Sequence, residues 1–511
     1  MAQHFRPGRS ITRMMSAVLI TLTGAGFVAA PCLAAAEPLR LAPQNEHYFL
    51  FRGRPTVLVG NTEHYAAVMN RDFDYIRYLN TLKAENLNVT RLFTGLYREP
   101  EESFAYGQAG NVLAPKAAAF LAPWPRSTQP GSADGLNKFD LERWSDAYFE
   151  RLRSFIRAAS DRGIIVEVVL FSNYYAESSW NFSPLNSRNN INGIGEVRLG
   201  DALSLKNLGL LAAQDALVRK LAEELRDFDN IYYEICNEPW LAAPYGEANA
   251  AIISSEWQTH IAQTLTAAEA NFPARHLLAQ EFFEKVVNVN RQTSIYFIRG
   301  TLDLRVVTEA YRLNKALGTN ETGFRGISDA PYRIQAWEMF IAGGAAYVGL
   351  DYSFTVGHEE GSFTVPARQL GGGSSALRAQ LGFLHSFLDS LDLVHMLPDQ
   401  NIIESGVPDQ ATAYVLANPG VAYVLYIHHG HPIPPKADMR APQYLVDHKN
   451  HHLQLTLRLP PAFYIAKWIN TKKRRIEKTQ EFEVSHGSTH VSSPVYSEDI
   501  ALLISRKDNG S

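Results

Sequence analysis

Short runs of hydrophobic residues, each long enough for one strand, alternate with longer stretches that carry hydrophobic residues at helical spacing. The runs lie at 56–60, 88–93, 163–171, 229–237, 276–280, 294–298, 313–321 and 345–350. Stretches such as 72–84 and 141–161 have the periodicity of amphipathic helices. Parallel neighbouring strands need a crossover connection, so eight strand and helix cycles predict an α/β fold, a parallel (β/α)8 TIM barrel.

An open doubly wound sheet is the other fold that alternating strands and helices can form. It would be expected to carry a glycine-rich phosphate loop after an early strand. The glycine run at 371–373 instead follows the last predicted strand and opens no further unit. We therefore expect the closed barrel.

The two ends of the chain have different patterns. Three arginines precede an apolar run at 14–30 and the small residues 34–36, which is typical of a secretory signal peptide cleaved after about Ala36. An uncleaved membrane anchor is the alternative, and the run is short for one. Beyond residue 395 the alternating runs predict a small antiparallel β-sandwich. We expect a signal peptide at 1–36, the barrel at 37–395, the sandwich at 396–511, and a secreted or periplasmic protein.

Several connections are also predicted. A turn at Arg52–Gly53 indicates an N-terminal hairpin that closes the floor of the barrel. The stretches 95–138 and 172–202 are rich in glycine, proline, asparagine and aromatic residues, and connections of this length are usually functional. Asparagines and aromatic rings on loops suit sugars, although asparagine-rich turns look the same.

Charge and cysteine content narrow the range of partners. Without residues 1–36 the chain keeps 45 basic and 52 acidic side chains, a formal charge of −7, which argues against a nucleic-acid partner. Cys236 is then the one remaining cysteine, so no intramolecular disulfide can form. We expect Cys236 to be a small buried hydrophobic residue rather than a nucleophile.

Two glutamates follow predicted strands in the same way. Glu238 stands in Asn237–Glu238–Pro239, where the proline must end the strand, and Glu321 stands before a glycine turn. Strand ends converge on the active-site face of a barrel, so the two side chains would face each other. Paired carboxylates of this kind carry out glycoside hydrolysis. Two ordinary surface glutamates are the alternative.

A third charged residue, Arg91, lies inside the second predicted strand. A buried arginine needs an anion nearby, which would be either a structural Glu167 or Glu234 or a catalytic carboxylate. In the catalytic case Glu321 would be the ionised nucleophile, and Glu238 would be the acid with a raised pKa. Asn237 could then hydrogen-bond the 2-hydroxyl of the sugar.

The chain resembles the clan A retaining glycoside hydrolases, especially the cellulase-like enzymes of family 5. The resemblance lies in Arg91 on the second predicted strand, Asn237–Glu238–Pro239 at the end of the fourth and Glu321 at the end of the seventh. The resemblance covers roughly residues 40–392. It implies that the acid/base follows an asparagine at the tip of strand four and that the nucleophile stands at the tip of strand seven. The implied activity is cleavage of O-glycosidic bonds, most readily β-linked, in oligo- or polysaccharides by double displacement without a cofactor. The stretch 464–470 resembles the β-sandwich appended to apiosidase-like enzymes.

The sequence departs from family 5 at two strand ends. That family usually has a His-Tyr pair after strand six and a tryptophan after strand eight, and this chain has Arg299 and Asp351–Tyr352 there. An inward-pointing Arg299 would favour an acidic sugar, whereas a surface or helix-capping arginine would not. The expected substrate-binding residues are Asn237, Arg91, His64, Asn173, Tyr296, Trp240, Asp351 and Tyr352.

Two other functions fit a barrel. One is a carbohydrate-binding or surface-attachment protein that has lost catalysis. The other is a metal-dependent hydrolase, which would need paired ligands at strand tips; we predict no metal site, because the histidines cluster at 428–452 among the C-terminal turns. The pattern predicts neither the sugar nor the oligomeric state.

Overall fold

The structure is a computed structural model. It describes residues 37–100, 111–240, 252–283, 285–299, 304–367, 369–433 and 443–507. These residues belong to one compact unit, Glu37–Ser511, and the predicted signal peptide lies outside them. None of the helices in the described ranges combines the length and the apolar character that crossing a membrane requires.

Eight parallel strands form the central barrel, as predicted. They are β1 (Leu58–Thr62), β2 (Val89–Phe93), β3 (Ile165–Ser172), β4 (Ile231–Asn237), β5 (Leu278–Phe283), β6 (Ile295–Arg299), β7 (Ala316–Thr322) and β8 (Ala346–Leu350). Each strand from β2 to β8 pairs with the next, and β8 pairs with β1. Asn88 bridges the remaining gap, since its backbone N–H donates to the Val59 carbonyl at 3.0 Å and its Oδ1 accepts from the Val59 N–H at 2.8 Å. The barrel is therefore nearly closed.

Helices connect and flank the strands. They are α1 (Tyr75–Ala84), α2 (Asp146–Ser160), α3 (Glu177–Phe182), α4 (Leu208–Leu225), α5 (Ser255–Ala268), α6 (Leu304–Tyr311), α7 (Asp329–Ile341) and α8 (Ser375–Asp389). Short 3-10 turns lie at Ala117–Ala119, Ser187–Asn189, Leu199–Asp201, Leu393–His395 and Gln400–Ile402. The first two long helices begin later than hydrophobic spacing predicts, because Asp74 and Ser145 accept hydrogen bonds from first-turn amides and so set the helix starts.

The floor of the barrel is closed as predicted. A three-stranded antiparallel sheet comprises Arg40–Ala42, Asn45–Phe51 and Arg54–Thr56. Leu39 joins it to the N-terminal end of β4, since its N–H donates to the carbonyl of Asp229 at 2.9 Å. The long connection after β2, described on both sides of 101–110, is not structureless, because it contains an antiparallel hairpin of Arg126–Pro130 and Asn137–Phe139.

The C-terminal region consists of antiparallel sheets. The larger sheet contains, in spatial order, Leu397–Pro398, Thr412–Asn418, Ala422–His428, Asp499–Arg506, Ala462–Asn470 and Arg475–Val484. A second sheet contains Ile403–Ser405, Gln454–Arg458 and Ser488–Ser492, and two further pairs are Gly430–Ile433 with Gln443–Val446 and Asn450–His451 with Tyr496–Ser497. Leu425 and Trp468 of the larger sheet share a buried core with Leu455 and Leu457 of the smaller one. The region is therefore the predicted β-sandwich.

The larger sheet packs directly on α7 of the barrel. Arg333 of α7 is buried and forms ion pairs at 2.6 Å with both Glu498 and Asp499 of the C-terminal region. The Tyr426 ring stacks on the Trp337 ring, with centroids 5.4 Å apart. The two parts thus share one continuous core, and the boundary at residues 395 and 396 stays a prediction.

Candidate active site

A buried arginine organises the C-terminal mouth of the barrel. Arg91 of β2 has no exposed side-chain surface. Its guanidinium contacts Glu167 at 3.1 Å, Glu234 at 2.8 Å, Glu281 at 2.9 Å, Glu321 at 2.9 Å and the Asn237 Oδ1 at 2.9 Å. A buried charge is stable only with such compensation. The sequence offers Glu167 or Glu234, or alternatively a catalytic carboxylate, as the partner of Arg91, and in the structure Arg91 contacts Glu167, Glu234 and Glu321 together.

Glu321 projects into this cluster from β7. Its Oε2 lies 2.9 Å from Arg91 Nη1 and 3.0 Å from Arg299 Nη1, and 5% of its side chain is exposed. Burial by itself would raise the pKa of Glu321, but Arg299 and Arg91 outweigh burial and hold that pKa below its ordinary value of 4.5. Glu321 is therefore an ionised carboxylate held between two cations.

Glu238 follows the tip of β4. Its φ of 48° is in the left-handed region, which is uncommon for a residue other than glycine and asparagine. Its Oε1 is 2.5 Å from Arg299 Nη2, and 17% of the side chain is exposed. Burial raises the pKa of Glu238 to about 7 against the opposing effect of Arg299, and the negative charges of Glu321 and Glu281 add to the rise. Glu238 is therefore suited to carry a proton near neutral pH.

Arg299 joins the two glutamates. It points inward from β6 with 5% of its side chain exposed, and one guanidinium contacts Glu238 through Nη2 and Glu321 through Nη1. The two carboxyl groups therefore face the same small space. Of the two positions that the sequence allowed for Arg299, the inward one is found, although its nitrogens already face carboxylates.

Asn237 and Asn173 lie on the Glu238 side of the site. The Asn237 Nδ2 donates to the Tyr175 hydroxyl at 2.6 Å, while its Oδ1 accepts from Arg91. Both ends of this amide therefore have protein partners. The Asn173 Nδ2 donates to the backbone carbonyl of Glu238 at 3.2 Å, so Asn173 contacts the backbone of Glu238.

His64 and Tyr352 lie on the Glu321 side of the cluster. The ring of His64 is edge-on to that of Tyr65 at 5.5 Å and lies 6.5 Å from that of Tyr352. The Arg91 guanidinium lies over the Tyr65 ring, 4.8 Å from its centroid. These rings form an aromatic wall beside Glu321.

Three expected substrate-binding residues are not brought to this cluster. Asp351 is buried in a hydrogen-bonded knot, where it accepts from Asn61 and Arg378 at 2.7 Å each. Tyr296 packs edge-on against Phe282, with ring centroids 5.5 Å apart. Successive side chains of a strand alternate between faces, so Tyr296 lies on the face of β6 opposite to Arg299. Trp240 packs at the rim against Phe283, with ring centroids 5.8 Å apart.

Glu281 is a site residue that the sequence reasoning missed. Glu281 Oε2 accepts the backbone N–H of Glu238 at 2.7 Å, and its Oε1 contacts Arg91. A signal was present, because a carboxylate ends the fifth hydrophobic run just as Glu238 ends the fourth. Hydrophobicity alone predicts that the strand ends at residue 280, whereas β5 continues to Phe283.

The clustered histidines pair with neighbouring side chains. His429 stacks on His451 with centroids 3.5 Å apart, and His428 Nε2 lies 2.8 Å from a carboxylate oxygen of Glu338. Within the described ranges, no three side chains of histidine, cysteine, aspartate or glutamate are grouped so that they could hold a metal ion. Cys236 is buried, as expected.

No family model and no curated protein matches this sequence. Solved structures do match the fold. One described as a glycoside hydrolase has a TM-score of 0.58 and 16% identity, over 92% of this chain and 98% of its own. A glycoside hydrolase of family 5 from Bacteroides vulgatus has a TM-score of 0.58 and 13% identity, over 92% of this chain and 94% of its own.

A third match shows how widely this fold is used. A noncanonic maltogenic alpha-amylase from Thermotoga neapolitana has a TM-score of 0.50 and 11% identity, over 88% of this chain and 99% of its own. The fold therefore does not by itself select the anomer, and chemistry must be argued from the site. The chain shares the fold of glycoside hydrolases, including one of family 5, over 92% of its length.

Proposed function

We propose that this protein is a glycoside hydrolase that works by double displacement with retention, with Glu321 as nucleophile and Glu238 as acid/base. One observation carries the proposal. Arg299 contacts both carboxyl groups, while the pKa of Glu321 is lowered and that of Glu238 is raised. Two carboxyl groups that share one space and differ in proton affinity supply the acid and the second carboxylate that glycoside hydrolysis requires, and their common partner Arg299 keeps them close together, as double displacement needs.

In the first step, Glu238 gives its proton to the glycosidic oxygen while a carboxylate oxygen of Glu321 attacks the anomeric carbon. The bond to the leaving group breaks, and a glycosyl ester of Glu321 forms. In the second step, Glu238 takes a proton from water, the water oxygen attacks the anomeric carbon, and the ester bond breaks. Both glutamates are then restored.

The electrostatics of the site support the change of role. While Glu321 is ionised, its negative charge raises the pKa of Glu238. The glycosyl ester removes that charge, so the pKa of Glu238 falls and its carboxylate becomes available as the base. Arg91 and Arg299 remain beside the ester oxygen and favour its departure as a carboxylate.

The substrate is a neutral glycan, most readily a β-linked one, rather than an acidic one. Both arginines of the cluster are already paired with glutamates. An anionic sugar would meet more carboxylates than cations and would gain no free partner. With the signal peptide at 1–36, the enzyme would act outside the cytoplasm on oligo- or polysaccharides.

The purified protein should therefore hydrolyse at least one aryl glycoside from a panel of neutral sugars in both anomeric forms, and it should spare the matching glucuronide. Proton NMR of the first product should show the anomer of the substrate. An inverted product would overturn double displacement. Glycan binding without any hydrolysis would favour the inactive carbohydrate-binding protein.

The rate should depend on pH in a way set by the two glutamates. kcat/KM should fall as the pH rises through about 7, because Glu238 must be protonated and its pKa is about 7. On the acid side it should fall only below pH 4.5, because the pKa of Glu321 lies below that value. A dinitrophenyl leaving group departs without a proton in the glycosylation step. For a dinitrophenyl glycoside, kcat/KM should therefore not fall as the pH rises through about 7. An alkaline fall that is the same for all leaving groups would contradict the role of Glu238.

A further inference from the structure

We infer that Glu281 is a positioning residue for the acid/base: it holds the backbone of Glu238 in the conformation that aims its carboxyl group at Arg299, and it places a negative charge beside that group. The inference deepens the proposed function and rests on it. Three contacts of Glu281 support it, one with the backbone of Glu238 and two with arginines.

The first contact is with the backbone. Glu281 Oε2 accepts the N–H of Glu238 at 2.7 Å, at the residue whose φ of 48° departs from the strand that it follows. A non-glycine residue persists in this conformation only when its surroundings determine it. A carboxylate acceptor forms a charge-assisted hydrogen bond, which is stronger than a neutral one. Glu281 therefore stabilises the turn by which Glu238 leaves β4.

The second and third contacts are with the two arginines. Glu281 Oε1 lies 2.9 Å from Arg91 Nη2 and 3.7 Å from Arg299 Nη1. The side chain has no exposed surface. Burial raises the pKa of Glu281, while the two arginines and the Glu238 N–H favour its ionised form. The Glu281 carboxylate therefore contacts both Glu238 and Arg299, the arginine that Glu238 shares with Glu321.

Other groups around Glu238 act in different ways. Among the residues that the structure describes, the charged and titratable side chains that face it are Glu281 from β5, Arg299 from β6, Glu321 from β7, Tyr175 after β3 and Tyr97 after β2. Arg299 lowers the pKa of Glu238, and both Glu321 and Glu281 raise it. Glu281 differs from Glu321 in forming no bond to the sugar in the proposed reaction, so its contact with the Glu238 N–H is the same in both steps.

The chain offers a matched comparison in Glu167. This residue is equally buried and pairs with the same Arg91 through Nε at 3.1 Å. Its other described partners are Tyr232 and Asn320, deeper in the barrel. Glu167 therefore shares the structural role of Glu281 toward Arg91, and its hydrogen bonds and ion pairs within the described ranges do not include Glu238.

The experiment uses two substitutions that separate the charge of the Glu281 side chain from its length. Glu281→Gln keeps an oxygen for the Glu238 N–H and loses the charge, so the alkaline limb of kcat/KM should move to lower pH by about one unit. Glu281→Asp keeps the charge and shortens the side chain, so kcat should fall about tenfold with the alkaline limb unmoved and KM little changed. Glu167→Gln should leave the alkaline limb where it is.

The proposal is overturned if the limb of Glu281→Gln stays at its wild-type position or if Glu281→Asp turns over at the wild-type rate. Should thermal unfolding show that Glu281→Gln does not fold, Glu281→Asp decides alone by the same criterion. A failure of the proposed function is a separate result, since it would show as a wild-type protein that cleaves no glycoside or as unimpaired turnover in Glu238→Ala.

Discussion

Replacing Glu321 by alanine is expected to lower kcat by more than about a thousandfold, because no other carboxylate can form the glycosyl ester. The fold should survive. Arg91 keeps Glu167, Glu234 and Glu281, and Arg299 keeps Glu238. Added azide should restore turnover by entering the space left by the side chain. The glycosyl azide formed should have the anomeric configuration opposite to that of the substrate.

Glu238→Ala is the control that separates the two roles. With an activated aryl glycoside it should still form the glycosyl ester on Glu321, and azide should then attack that ester. The product would be a glycosyl azide with the configuration of the substrate, the opposite of the Glu321→Ala product. Normal turnover in Glu321→Ala would refute the assignment, and the same azide anomer from both variants would refute the division of roles.

Replacing Arg91 by methionine is expected to lower the free energy of unfolding by at least about 3 to 5 kcal/mol, the usual cost of removing one partner from a buried ion pair. Glu167, Glu234 and Glu281 would remain, each with no exposed side-chain surface and without this cation. Urea unfolding followed by circular dichroism measures the loss. Activity should disappear with it, because Glu321 loses one of its two cations.

The pH dependence of that loss is diagnostic. Carboxylates buried without a cation have folded-state pKa values above their unfolded values, so they cost least when protonated. The deficit of Arg91→Met should therefore be smaller at pH 5 than at pH 8. Arg151 provides the control, because its described hydrogen bonds go to the backbone carbonyls of Ala67, Val68, Asn70 and Phe73. The loss of unfolding free energy in Arg151→Met should not depend on pH. If the loss in Arg91→Met did not depend on pH either, the charge argument would be wrong.

The barrel was predictable because its signals are local. The strands are buried over nearly their whole length and so appear as largely hydrophobic runs, and the helices keep their own periodicity. The errors lie at ends, where another force decides. Asp74 and Ser145 move the helix starts inward by capping them. β5 extends past its apolar run, and there Glu281 is stabilised by Arg91 of β2 and Arg299 of β6.

Within the site, the sequence pattern predicts which residues take part better than it predicts where their side chains point. Asn237, Glu238 and Glu321 could be found because proline or glycine punctuates their strands. Tyr296 and Asp351 were expected to bind substrate because they stand near strand ends. Their side chains point elsewhere, since Tyr296 lies on the outer face of β6 and Asp351 pairs with Arg378 of α8.

The amino-acid sequence alone determines the order of strands and helices, the two strand-end glutamates and the need of Arg91 for an anion. The signals are local: hydrophobic periodicity, a strand-ending proline, and a charged residue within a hydrophobic run. Only the closed barrel decides that one guanidinium, Arg299, meets both glutamates, and that Glu281 reaches the backbone of Glu238. These contacts join residues from different strands, and the proton affinity of each carboxyl group depends on how many charges closure brings beside it.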